Sequence, residues 1–96
     1  MRKNKALNEC KMFFKLFSDT TRLRIIDLLL EGPLNVQAIH ETLNLNQSTV
    51  SHQLKLLRDQ NVVSANRNGK KIYYNLKDDH VKKIYMMARD HVMECE

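Results

Sequence analysis

Between Val62 and Leu76 the hydrophobic spacing of the chain changes from helical to alternating, and this change restricts the fold more than any other feature. Val62 to Arg67 and Lys70 to Leu76 have the alternation of strands. Asn68-Gly69 joins them, a dipeptide suited to a type I′ hairpin turn, in which both central residues need positive φ. The spacing before the hairpin is helical. Leu7, Cys10, Phe13, Phe14 and Phe17 mark the apolar face of a first helix. Leu23, Ile26, Leu29 and Leu30 mark a second, capped by Ser18 or Asp19 and ended at Gly32-Pro33. Asn35 is placed to cap a short third helix through Val36, Ile39 and Leu43. After a turn at Asn44 to Asn46, Asn46 is placed to cap a fourth, with Val50, Leu54 and Leu57 as its buried stripe. A final helix runs from about Asp79 to Met93, with Val81, Ile84, Tyr85, Ala88 and Val92 as its apolar face.

Four helices, a hairpin and a closing helix, with a tight turn between the third and fourth helices, make a mainly α chain with the order of a winged helix-turn-helix. In that architecture the second helix of the pair enters the major groove. The front of the fourth helix is unusually polar for a helix start. From it, Gln47, Ser48, Val50, Ser51, His52 and Gln53 are assigned to DNA contact, Val50 doing double duty with the buried stripe. Glutamine bonds adenine edges, serine bonds bases or phosphates, and histidine reaches either. Arg67, Asn68, Lys70 and Lys71 at the hairpin tip are assigned to the flanking backbone or minor groove.

Charge points the same way. The 96 residues carry a formal net charge of +5. Arg2, Lys3, Lys5, Lys11, Lys15, Arg22 and Arg24 crowd the first quarter, and Lys55, Arg58, Arg67, Lys70 and Lys71 form a second cluster. From Lys77 onward the chain turns slightly acidic. A polyanion on one side and a cation on the other fit this distribution. The length makes one winged domain over residues 1–96, with DNA reading at about 35–60 and the wing at 62–76. No signal peptide, transit segment or long apolar run is present, so no membrane is expected and the location is read as cytoplasmic.

The final helix adds a chemistry of its own. His80 and His91 are eleven residues apart, three turns of helix and roughly 16 Å along the axis. One ion with ligand bonds of about 2 Å cannot take both from one helix. His91 and Glu94, at i and i+3, can share an ion. Asp78 and His80 can share another if Asp78 lies just before the helix. If two copies of the helix run antiparallel, Asp78 and His80 of one meet His91 and Glu94 of the other. A dimer joined through its first and last helices, at about 6–17 and 79–93, then holds two four-ligand sites. Two imidazoles and two carboxylates in a tetrahedron favour Zn2+. His40 has no partner at metal spacing and is read as surface.

The stretches FSDTTRLRIIDLL, LNQSTVSHQLKLLRDQNVV, RNGKKIYYNL and DDHVKKIYMMARDHVMECE resemble the ArsR/SmtB family of metal-sensing transcriptional repressors, and together they cover nearly the whole chain. Carried over by position, the resemblance to the zinc-sensing, SmtB-like branch implies the same ligands: Asp78, His80, His91 and Glu94. It implies a homodimer that binds an inverted-repeat operator in double-stranded DNA and releases it when zinc binds, with no small organic substrate. It implies that zinc efflux or sequestration genes are controlled. It also points to Asn61, after the fourth helix, as the acceptor for the free ring nitrogen of a zinc-bound His91. Two departures stand out. The Cys-x-Cys pair that many members carry on the third helix is absent from Leu34-Asn35-Val36-Gln37-Ala38, which removes the soft-metal site. Thr20 stands where the family often has proline.

Two rival readings share these residues. Cys10 and Cys95 form no CxxC pair, but an oxidisable pair at the junction of the first and last helices would make a thiol-sensing repressor of the same fold. Asp, His, His and Glu on a basic protein would suit a metal-dependent nuclease. Four protein ligands, however, leave no open position for water, so the chain reads as a non-enzyme.

Overall fold

The computed structural model describes residues 2–95. The chain forms α1 (Arg2–Lys15), a 3-10 turn (Leu16–Ser18), α2 (Thr20–Leu29), β1 (Leu34–Asn35), α3 (Val36–Leu43), α4 (Gln47–Asp59), β2 (Val63–Asn68), β3 (Lys71–Leu76) and α5 (Asp79–Glu94). Local chemistry sets most of these limits. The Asp19 carboxylate accepts from the Arg22 backbone N–H at 3.0 Å and opens α2. The Asn35 side chain accepts from the Ala38 N–H at 2.8 Å and opens α3. Asn46 occupies the cap position of α4 but makes no side-chain capping bond. Asn44 and Asn61 have φ of 55° and 59°, the left-handed residues that close α3 and α4. After each, a backbone N–H reaches back five residues: Leu45 to His40 at 3.0 Å and Val62 to Leu57 at 2.9 Å.

The three strands are antiparallel in the order β1-β3-β2. The two-residue β1, with Leu34 opposite Tyr74, has no period to betray it in the sequence. The hairpin register corrects the turn. Asn68 pairs with Lys71, so the central residues are Gly69 and Lys70 and not Asn68 and Gly69. Of these, Gly69 has φ of 69°, and Lys70 is not among the positive-φ residues. Positive φ at the first central position alone is the type II′ pattern, which demands glycine there and frees Asn68 to stay in the strand.

The core lies where α2, α3, α4 and the sheet meet. Ile25, Ile26 and Leu29 of α2, Ile39 of α3, and Val50, Leu54 and Leu57 of α4 are fully buried. Val62, Val63 and Leu76 close it from the hairpin, and Val81 from the start of α5. Burying each such side chain contributes about 1.5–3 kcal/mol. By contrast α1 buries no residue. It exposes Leu7, Met12 and Phe14, and α5 exposes Ile84, Met86, Met87, Val92 and Met93. The apolar face expected on α5 is therefore two faces: Val81 and Tyr85 turn toward the body, and Ile84 and Val92 turn away. This is a mainly helical fold with a three-stranded antiparallel sheet, the winged helix-turn-helix.

Candidate DNA-reading face and metal ligands

The buried stripe of α4 fixes which of its side chains face water. Val50, Leu54 and Leu57 point inward, so Gln47, Ser48, Ser51 and His52 form the exposed front of the helix. Two residues assigned to DNA contact are placed elsewhere. Val50 is 0% exposed and cannot touch a base. Gln53 is half-buried, and its Oε1 accepts from the Arg22 guanidinium at 3.1 Å. Arg22 also donates to the Leu16 carbonyl at 3.0 Å. Gln53 thus ties α4 to α2, a role its sequence position beside Ser51 and His52 conceals. At the hairpin tip Arg67, Asn68, Lys70 and Lys71 are all exposed, and Arg67 donates to the Gly69 carbonyl at 3.3 Å. His40 is half-buried rather than on the surface.

On α5 the two pairs of candidate ligands fall at opposite ends. Asp78 is the N-cap, in extended backbone, and its Oδ1 accepts from the Val81 N–H at 3.1 Å. That bond lowers the Asp78 carboxyl below its ordinary value of 3.8; desolvation opposes the shift and His80 adds to it. His80 Nδ1 lies 3.7 Å from Asp78 Oδ1, with 92% of the imidazole exposed. Two ligands bound to one tetrahedral zinc at about 2.0–2.1 Å stand about 3.4 Å apart. The Asp78–His80 separation of 3.7 Å is close to that spacing, though Oδ1 is also the atom that caps α5. His91, Glu94 and Cys95 are exposed at the other end, and Cys95 Sγ lies 4.0 Å from His91 Nε2. Among the described residues of one chain, no three of His, Cys, Asp and Glu converge on a point that could hold an ion. Each end of α5 carries two of the four candidate ligands.

Asn61 follows α4 and is exposed. It borders an open groove with Cys10 and Phe13 of α1 and with Asp59 and Gln60. No hydrogen bond joins it to His91 among the described residues. Its positive φ also gives it a conformational reason to be asparagine, independent of any partner. Cys10 and Cys95 are both exposed free thiols.

One contact of α5 was not legible in the sequence. Tyr85 Oη donates to Asp27 Oδ1 on α2 at 2.8 Å, and Arg89 Nη1 donates to the same oxygen at 3.2 Å. The Arg89 guanidinium lies 5.9 Å from the Tyr85 ring centroid. Desolvation, and then the Asp27 bond and charge, push the Tyr85 phenol up to about 12 from 10.0, so it stays a donor.

Comparison with known proteins accords with this architecture. Residues 19–65, from the cap of α2 into β2, match the arsR family of bacterial regulatory proteins. A transcriptional repressor SmtB homolog from Synechocystis sp. is 37% identical over 84 residues, 88% of this chain. The chain spans 64% of that relative's length. A homolog of the cadmium resistance regulatory protein CadC from Staphylococcus aureus is 38% identical over 84% of this chain and 68% of its own. Among solved structures, a homodimeric winged helix-turn-helix DNA-binding domain from Mycobacterium bovis, a possible ArsR-family regulator, superposes with a TM-score of 0.93. It is 29% identical, over 97% of this chain and 86% of that one. These relatives are transcriptional regulators and not enzymes, which sets the nuclease reading aside. The match from cap to wing and the identity across most of both chains together place this protein in the arsR family of bacterial regulatory proteins.

Proposed function

We propose that this chain is a zinc-responsive transcriptional repressor acting in the cytoplasm. The metal-free homodimer binds an inverted repeat in double-stranded DNA, one half-site per protomer. Gln47, Ser48, Ser51 and His52 meet base edges and phosphates, and Arg67, Asn68, Lys70 and Lys71 hold the flanking backbone. The exposed apolar residues of α1 and α5 become the dimer interface. Two zinc ions bind per dimer, each held by Asp78 and His80 of one protomer with His91 and Glu94 of the other. Zinc lowers operator affinity by favouring a dimer geometry in which the two copies of α4 no longer match successive grooves. The genes released are those of zinc efflux or sequestration.

The observation that carries this reading is the division of the ligands. One α5 presents an Asp–His pair 3.7 Å apart at its start and a His–Glu pair at its end, and among the described residues neither is complete in one chain. Antiparallel apposition of two such helices completes both sites at once. In that dimer the ring nitrogen of His91 not bound to metal can donate toward Asn61, bringing the metal site to the residue that closes α4. The absence of a Cys-x-Cys pair on α3 and the oxygen-nitrogen donor set favour zinc over softer ions.

The deciding experiment is an operator titration with the metal-free protein, then with Zn2+, Co2+, Ni2+ and Cd2+, alongside mass-resolved metal analysis. Two zinc per dimer and weaker DNA binding with zinc are the expected results. A monomer that binds one zinc tightly, or an operator complex indifferent to zinc, overturns the reading.

A further inference from the structure

The sensing helix of the proposed repressor touches its own body along a narrow line. Val81 is buried; Tyr85 and Arg89 follow at four-residue steps and are half-buried; residues 90–95 are all exposed. The line ends on one atom, Asp27 Oδ1, which takes hydrogen bonds from both Tyr85 and Arg89. Asp27 belongs to α2, and α2 has polar ties to each of the other helices of the motif. Arg24 donates to the Leu43 carbonyl at the end of α3 at 2.7 Å, and Arg22 donates to Gln53 on α4 at 3.1 Å. Ile25, Ile26 and Leu29, fully buried, seat α2 in the core between these ties. The carboxylate lies between the two half-sets of candidate ligands, two residues short of His91 by way of Arg89.

We propose that Asp27 is the positioning residue that keys α5 to the helix-turn-helix, so that a change of α5 geometry on metal binding reaches α4 through α2. The inference rests on the zinc-responsive reading. The ion pair itself is half-exposed, with the Arg89 and Asp27 side chains 39% and 51% accessible, and such pairs add little to stability. Its consequence lies in orientation. Two donors from adjacent turns on a single oxygen fix the roll of α5 as well as its distance, which Val81 alone cannot do. Without the oxygen, α5 keeps its candidate ligands and its apolar outer face, but it is held only by the packing of Val81 and the Tyr85 ring and turns more freely about them. Metal then reorganises α5 without moving α2.

The test is operator affinity with and without saturating Zn2+ for wild type, Asp27→Ala, Tyr85→Phe and the double variant, with zinc affinity, dimer state and melting temperature measured in parallel. Expected is a normal zinc affinity and a dimer in every variant, with the zinc-induced change in operator affinity reduced by about 2–30-fold. The double variant should lose no more than Asp27→Ala, because the bond that Tyr85→Phe removes is one of the two that Asp27→Ala already removes. Tyr85→Phe deletes a single hydroxyl from a half-exposed site, so it supplies the answer if Asp27→Ala does not fold. A wild-type zinc response retained in the variants, with or without a lower melting temperature, overturns the proposal and leaves the zinc reading standing. A wild-type protein that binds DNA but ignores zinc overturns both.

Discussion

Burial divides α4 into a face that folds and an exposed face proposed to read DNA, and substituting adjacent residues tests the division. Val50 is fully buried and Ser51, one residue on, is exposed. Val50→Ala removes two methyl groups, worth about 1.6 kcal/mol at about 0.8 kcal/mol per buried carbon. The cavity that remains adds about 1 kcal/mol, for a volume of about 40 Å3 at about 24 cal/mol per Å3. The sum is about 2–3 kcal/mol. In a chain of this size each kcal/mol moves the melting midpoint by about 4–8 °C, so a fall of about 10–20 °C is expected. Ser51→Ala should stay within about 0.5 kcal/mol of wild-type stability. Where it removes a base contact, it should weaken operator binding by about 1–3 kcal/mol. The assay pairs thermal denaturation at fixed protomer concentration with operator titration at a temperature where both variants are folded. If Val50→Ala weakens DNA binding while leaving the midpoint unchanged, or Ser51→Ala lowers the midpoint by 10 °C or more, the assignment of faces is wrong.

Three further outcomes follow from the geometry of α5. Asp78→Ala should lower metal-free stability and zinc affinity together, because one carboxylate is both helix cap and candidate ligand, while Asp78→Asn should keep the cap and lose the zinc; since the folded carboxyl titrates below 3.8, its contribution is complete above that value and disappears as pH falls through the lowered one, which acid melts of wild type and Asp78→Asn would register. At the alkaline end Tyr85 titrates near 12 in the folded chain against 10.0 unfolded, so its contribution is complete below pH 10 and lost as pH rises through about 12, and a Tyr85→Phe protein should lack that component of alkaline melting. Replacing both Cys10 and Cys95 with serine should leave zinc-induced DNA release unchanged, and loss of the response would promote the thiol-sensing reading despite the oxygen-nitrogen ligands.

Much of the fold could be read from the sequence because its boundaries are set by short-range chemistry. Asp19 and Asn35 cap within three residues of themselves, and Asn44 terminates α3 through its own backbone angle. The hairpin was visible as a change of period, yet its turn lay one residue later than Asn68-Gly69 suggests, because the same glycine can serve either primed turn and only strand register decides. β1 escaped notice because two residues cannot show alternation. On α4 the polar residue types point to an exposed face, but type alone cannot separate the exposed Ser51 and His52 from the half-buried Gln53, whose partner Arg22 is thirty-one residues away. The same distance effect hid Asp27: its donors lie fifty-eight and sixty-two residues downstream, and Tyr85 looked like one more member of an apolar stripe.

The split of that stripe explains how one short helix can serve two demands. Ile84 and Val92 lie outside the core formed by Val81 and its neighbours, so the outward face is free to meet a second copy without unpacking the first. The candidate ligands sit at the ends of this face and not within it, where in the proposed dimer the pair on one helix would stand beside the other pair on an antiparallel partner. An ion joining the two halves in that proposed dimer would constrain the angle between two copies of α5 rather than the fold of either. Beside any bond from His91 toward Asn61, an angle between α5 helices reaches α4 to the extent that the body of each protomer holds α5 in place. The body holds α5 by the packing of Val81 and the Tyr85 ring and by the bonds to Asp27, and the last is the hold that a single substitution can release while the core stays packed.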